Sequence, residues 1–378
     1  MGRIVTPLGE VIDSKGPIKT PHKIPVRVLS NEDSYKDLSF LDAKKDVVET
    51  GIKAIDFFAP IKRGGKIGMF GGAGVGKTVI LTELINNLVI NSNTNQDAVS
   101  VFCAVGERIR EAHELYKTLE KNKSLQKVAI ILGQMGQNPA IRAIAPLSAI
   151  SLCEYFRDVQ QKDVIFFMDN AYRFAQANQE ISGVLGEMPS EDGYNPNLTS
   201  QMANIHERLS TGTKNQITSI EAIFVPSDDM YDAAVTEVFP YMDSFIMLSR
   251  DEYQEGRMPA VNLLNTSSTI LSRYVVGHFH INALTEAKRV LERAENLKRV
   301  VTLIGISELS LMDQKIYKRA QIIKNYMTQP FFTVANQTGR KGEFVKREDT
   351  IEDVMKIIEG AYDNEDPARF LYIGKITN

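Results

Sequence analysis

The sequence predicts an α/β domain with a mostly parallel sheet, followed by a C-terminal helical domain. Three observations carry this. Short, near-continuous apolar runs alternate with helix-period segments, the pattern of strands covered on both faces. A glycine-rich stretch, Gly71-Gly72-Ala73-Gly74-Val75-Gly76-Lys77-Thr78, joins one such run to one such helix. After about residue 275 the strand pattern ends and helical periodicity remains.

In chain order, residues 1–60 hold Pro7, Pro17, Pro21, Pro25 and Pro60. The β-like pieces Arg3-Ile4-Val5 and Val26-Arg27-Val28-Leu29 lie among turn signals such as Ser14-Lys15-Gly16-Pro17. This segment reads as an irregular lead-in joining the core. In the core, residues 61–274, the predicted strands are 66–70, 100–105, 128–132, 164–168, 222–225 and 245–248. The helical patterns between most of them span 78–91, 109–120, about 141–158 and about 199–210. Right-handed crossovers then bring the strand C-termini to one ligand edge. The C-terminal domain, 275–378, has helical patterns at 281–298, 311–326 and 350–361, with Pro330 separating two of them, and a short ending at Phe370-Leu371-Tyr372-Ile373.

A length of 378 residues fits two or three domains. The 44 basic and 47 acidic residues nearly cancel, which argues against a broad nucleic-acid surface. Cys103 and Cys153 have no CxxC or histidine spacing and read as packed, reduced thiols of a cytosolic protein. No apolar run approaches the about 18 residues of a membrane span, so any membrane association would come through partners.

The glycine-rich stretch has the P-loop pattern in its required context, strand before and helix after. Glycines at Gly71, Gly72, Gly74 and Gly76, with Ala73 and Val75 between them, let backbone N–H groups turn toward phosphate oxygens. The helix N-terminus adds partial positive charge there. Lys77 can reach the β- and γ-phosphates, and the Thr78 hydroxyl can hold Mg²⁺. The apolar run Val164-Ile165-Phe166-Phe167-Met168 ends in Asp169, a carboxylate suited to the Mg²⁺ shell opposite that hydroxyl. Gly106-Glu107-Arg108-Ile109-Arg110-Glu111 follows another strand end, where a carboxylate could polarise an attacking water and an arginine could hold a γ-phosphate. The same composition also describes a solvated helix start, with glutamate near the positive helix end.

These motifs, with Gly133-Gln134-Met135, Glu154-Tyr155-Phe156-Arg157-Asp158, Asp169-Asn170, Arg173-Phe174, Gly193-Tyr194, Val225-Pro226, Asp228-Asp229, Leu248-Ser249-Arg250 and Gln329-Pro330-Phe331, fall in an order that resembles the catalytic β subunit of the F-type rotary ATPase. The resemblance runs almost end to end. It implies a RecA-like P-loop NTPase core, with Lys77 and Thr78 on phosphate and Mg²⁺, Glu107 orienting the hydrolytic water, and Arg108 and Arg173 on the γ-phosphate. Glu111 and Asp169 would surround Mg²⁺, and Met258 and Phe331 would contact the base. A glutamate at 107 favours the catalytic over the non-catalytic type. The resemblance further implies a ring with α-like subunits that supply an arginine finger in trans, a central γ-like rotor stalk, and a cytoplasmic, membrane-peripheral location.

The chain also departs from that family. It starts where the family's N-terminal β-barrel would end, so it is expected to be a fragment or to have lost its crown. The rotor-facing loop, Ser307-Glu308-Leu309-Ser310-Leu311-Met312-Asp313, keeps two acids. Met258 and Gln337 replace aromatics of the adenine pocket, and Phe224 stands where a tyrosine is usual. Thr269, Ile281 and Thr285 replace the Arg, Tyr and Arg that reach the neighbour's non-catalytic nucleotide. A divergent second copy of the subunit, such as some wall-less small-genome bacteria carry, fits these departures. The expected function is interconversion of Mg-ATP with ADP and phosphate, coupled to rotor movement and ion transport or another mechanical load. The alternatives are a protein-export-type ring ATPase and a nucleotide-binding structural subunit without turnover.

Overall fold

The computed structural model describes residues 2–13, 15–18, 20, 23–26, 47–90, 98–121, 125–209 and 215–376. The chain divides into two compact units, one of Met1–Phe40 with Lys62–Asp243, the other of Leu41–Ile61 with Ser244–Asn378. The sequence reading draws its edges at 60/61 and 274/275 instead.

The first unit contains strands β1 (Ile4–Val5), β2 (Lys66–Gly71), β3 (Val99–Glu107), β4 (Val128–Gln134), β5 (Val164–Asp169) and β6 (Ile217–Phe224). They lie in the order β1-β4-β3-β5-β6-β2, every neighbour parallel. Helices α1 (Lys77–Ile90), α2 (Ile109–Lys121), α3 (Pro139–Glu154), α4 (Ala171–Leu185) and α5 (Leu198–Arg208) connect or follow them. Buried strands must be apolar on both faces, and they are: Val101, Cys103, Ile131, Phe166, Phe167, Ile220 and Ile223 are at most 3% exposed. Both cysteines are free and buried. Within the segment read as a lead-in, Ile4 and Val5 pair with Ile130 and Ile131 at one edge of the sheet. Of the second β-like piece, 26–29, all but Val26 lies outside the described residues.

Local sequence sets the helix boundaries. Asn138 caps α3 by accepting from the Ala140 N–H, with Pro139 at the first position, where a missing N–H costs nothing. A π-helical turn, Tyr155–Val159, ends this segment, so the predicted 141–158 helix holds with altered geometry in its last turn. Asn170 caps α4, and Gly186 closes it in the left-handed conformation at φ 75°.

In the second unit β7 (Ser244–Met247) and β8 (Ser267–Ser268) pair antiparallel. Helices α6 (His278–Ile304), α7 (Leu311–Tyr326) and α8 (Arg347–Glu359) supply the predicted helical domain. The short helix Lys53–Phe58 is buried along its whole length. Ser310 starts α7 by accepting from the Asp313 N–H at 3.1 Å. Around this turn Leu303, Ile306, Leu311 and Met312 are exposed, so the loop expected to face a rotor presents apolar side chains beside its exposed Ser307, Glu308 and Ser310. Among the described residues no helix is long and apolar enough to cross a membrane.

Candidate functional site

Parallel pairing places the C-termini of β2, β3, β5 and β6 at one edge of the first unit. Gly71 is level with Phe224, Asp169 with Ala222, and Ala104 with Asp169. The register shifts between Val105 and Glu107, after which Glu107 pairs with Gln134. Four strand ends thus deliver the P-loop, Glu107, Asp169 and Phe224 to the same edge.

In the P-loop, Gly74 and Gly76 have φ of 78° and 93°, values that side-chain-bearing residues resist. The space beside each glycine is open. Ala73, Gly74 and Thr78 are exposed, whereas Gly71, Gly72 and Val75 are buried, so the loop is anchored at its base and open at its tip. Lys77 begins α1, and its amine donates to the Gly71 carbonyl at 2.7 Å and to that of Gly72. It also lies 5.4 Å from the Phe224 ring centre.

Thr78 Oγ1 donates to Asp169 Oδ2 at 3.0 Å. The two oxygen donors expected on opposite sides of a Mg²⁺ shell therefore meet, although 91 residues separate them. Burial lifts the Asp169 carboxyl to about 6, while the Thr78 hydroxyl, Lys77 and Arg173 pull it down and Glu111 raises it. Glu107 is pushed to about 9, first by burial, then by its hydrogen bond to Glu111 and the negative field of Asp169 and Glu111. Three carboxylates thus converge beside the P-loop. Among the described residues no three His, Cys, Asp or Glu form a metal cage. A hydroxyl and a few carboxylates fit Mg²⁺, which commonly takes one or two carboxylates together with phosphates and water.

Arg173 enters from the first turn of α4. Gly106, at φ 67°, permits this approach, since a β-carbon there would stand 3.3 Å from Arg173 Cβ. Arg173 Nη1 donates to Gln176 at 2.8 Å, but its buried Nε has no hydrogen-bond partner. An unpaired guanidinium donor beside a P-loop fits an anionic ligand. Arg108, between β3 and α2, is exposed. Glu111 lies in the first turn of α2 and is half-buried.

Met258 and Phe331 belong to the second unit. The Gln329 N–H donates to the Met258 carbonyl at 3.0 Å, which holds the two expected base contacts on adjoining stretches of chain. Phe331 is buried and Met258 half-buried, whereas Gln337 is exposed. Thr269 and Thr285 are exposed, and the Thr285 hydroxyl donates to the Ile281 carbonyl of its own helix at 2.8 Å.

Sequence reasoning missed a hydroxyl chain near Phe224. Tyr194 OH donates to Asp232 at 2.8 Å and lies 3.1 Å from Tyr172 OH, and the Tyr172 ring meets Phe224 edge-on at 5.4 Å. The nearest signal in the sequence is the Asp232 cap of the short helix Ala233–Thr236.

Residues 51–268 match the family model described as "ATP synthase alpha/beta family, nucleotide-binding domain". Residues 272–358 match "C-terminal domain of V and A type ATP synthase". The expected F-type β assignment is therefore not confirmed, because the C-terminal match favours the V and A type. Among solved structures the chain is similar to a "unique ATP synthase subunit NeqB" from Nanoarcheaum equitans. That likeness has 22% identity and a TM-score of 0.82, and covers 97% of this chain and 85% of the other. At this identity the likeness speaks for the fold. The nucleotide-binding model, by contrast, accounts for more than half of the sequence, and the chain belongs to the ATP synthase alpha/beta family.

Proposed function

We propose that this chain is the catalytic-type nucleotide subunit of a rotary ATPase or ATP synthase, with a C-terminal domain of the V and A type. It binds Mg-ATP and interconverts it with ADP and phosphate. The observation that carries this reading is the meeting of Thr78 and Asp169 beside Lys77, with Glu107 at the neighbouring strand end. A subunit that only held nucleotide would have no use for a carboxyl at Glu107, whereas the spare donor on Arg173 suits a bound phosphate in either case.

The roles follow from placement. The P-loop N–H groups and Lys77 grip the phosphates. Thr78 and Asp169, with Glu111 nearby, would hold Mg²⁺, which when bound neutralises phosphate charge. Glu107 orients the attacking water, and Arg173 and Arg108 stabilise charge on the γ-phosphate. Met258 and Phe331 contact the base. The working assembly is a ring with non-catalytic partners that supply an arginine in trans, around a central stalk, on the cytoplasmic face of a membrane it meets only through partners.

The test is phosphate release and Mg-ATP binding by the complex purified from its source. Parent complexes are expected to bind and turn over, and Lys77→Ala to lose both. If parent complexes bind Mg-ATP but release phosphate no faster than Lys77→Ala, the subunit is a nucleotide-holding structural component.

A further inference from the structure

Arg257 immediately precedes Met258 and is held on three sides. Its Nε donates to Asn325 Oδ1 at 3.0 Å, on the last turn of α7. Its Nη1 donates to Glu252 at 2.7 Å and also to Glu255. Glu252 in turn accepts from Lys324 at 2.9 Å, and Asn325 donates to the Pro367 carbonyl at 2.8 Å. The Arg257 and Glu252 side chains are each 15% exposed, so this is no loose surface pair. Burial works against both charges, yet Lys324 and Arg257 hold the Glu252 carboxyl below its usual range.

The fork geometry matters here. Nε and Nη1 reach two different partners, one on α7 and one on the short helix Arg250–Gln254. A lysine could replace the charge but not both directions. On the other side of Met258 the backbone is fixed again, because its carbonyl accepts from the Gln329 N–H at 3.0 Å. Asn325 and Gln329 are four residues apart at the end of α7, and Gln329 leads through Pro330 into Phe331. Both flanks of Met258 are thus tied to the same short stretch that carries the second base contact.

We infer that Arg257 is a positioning residue for base recognition, which fastens the Met258 segment to α7 so that Met258 and Phe331 are presented as one piece. This rests on the reading that Met258 contacts the base. Arg257 itself touches neither nucleotide nor metal. Its loss should loosen the seat of the base and leave the grip on the phosphates alone.

The experiment compares Mg-ATP with Mg-tripolyphosphate, which has phosphates and no base, as ligands of the full chain in its complex. Arg257→Gln is expected to weaken Mg-ATP by about fivefold, or ~1 kcal/mol, and to leave Mg-tripolyphosphate unchanged. Arg257→Lys should fall between that variant and the parent. Asn325→Ala removes the α7 anchor without changing any charge, and should repeat the effect if Arg257→Gln folds poorly. Equal loss for both ligands, or no loss for Mg-ATP, overturns the inference. Met258→Ala separates the two levels. If it weakens Mg-ATP while the Arg257 and Asn325 variants do not, only the positioning role fails. If Met258→Ala also leaves Mg-ATP untouched, the base contact itself is wrong.

Discussion

Lys53 has no exposed surface, yet its amine finds partners. It donates to the Ile373 carbonyl at 2.7 Å and the Gly374 carbonyl at 3.2 Å, and lies 4.1 Å from the centre of the Tyr326 ring. Burial lowers its pKa to about 7, against the opposing pull of Asp353 and Glu343. In the unfolded chain a lysine titrates near ~10.4. Between these values unfolding takes up a proton at this amine, so the lysine's own contribution to stability rises with pH from about 7 to about 10, by at most about 1.4 kcal/mol per pH unit. Below about 7 the amine is charged in both states and this contribution to the slope vanishes. Lys53→Met should remove this contribution, as read from the difference between the urea unfolding of parent and variant at neutral and alkaline pH. Identical pH profiles would contradict the buried-amine account. The converging carboxyl groups of the first unit differ in kind, since they gather beside the P-loop, where a bound Mg²⁺ would offset their charge.

The elements were legible to different degrees. Strands β2 to β5 stand out in the sequence because burial on both faces demands unbroken apolar runs, and α1 because its apolar residues recur at helical spacing. The strand β1 is two residues long and offers no period to read; only its parallel partner β4 makes it part of the sheet. Helix α4 was not picked out, although it carries Arg173, because Gln176, Asn178, Gln179 and Glu180 interrupt its apolar face. What marks it is a cap: the Asn170 side chain accepts from the Arg173 N–H at 2.9 Å. Asn170→Ala should therefore cost about 1 kcal/mol of stability and also lower turnover, because the first turn that aims Arg173 is loosened. Denaturant midpoints and steady-state phosphate release check this together. A variant with parental values in both would show that the cap does not position Arg173. The site itself was legible in two ways. The P-loop and Asp169 follow from local pattern, whereas Met258 and Phe331, far apart in sequence and chemically ordinary, were named only through family resemblance.

For the molecule as a whole, the family and the fold were readable from the order of motifs, but the subtype was not. Strand ends and phosphate-binding residues serve the same chemistry in every branch, so they separate branches poorly, and the C-terminal match moved the reading toward the V and A type. In the proposed ring, the surface that this chain would offer to a neighbour also carries a prediction. Thr269, Ile281 and Thr285 bring neither charge nor an aromatic ring, and the Thr285 hydroxyl is already used within α6. A phosphate that loses an arginine contact loses roughly 1.5–3 kcal/mol, so two such losses weaken a neighbouring site by several powers of ten. Nucleotides counted in the purified complex after gel filtration are expected in the sites of this chain alone. Equal filling of the neighbouring non-catalytic sites would refute this.

The central claim is that the carboxyl at Glu107 drives the chemical step and not nucleotide binding. The direct measurement is single-turnover phosphate release from Mg-ATP by complexes carrying Glu107→Gln, beside the parent, with Mg-ATP affinity measured on the same samples. The account predicts near-parental affinity and a loss of about 10²-fold or more in the rate of the chemical step, the scale of a positioned acid–base group. A Glu107→Gln complex that cleaves ATP at the parental rate would contradict it.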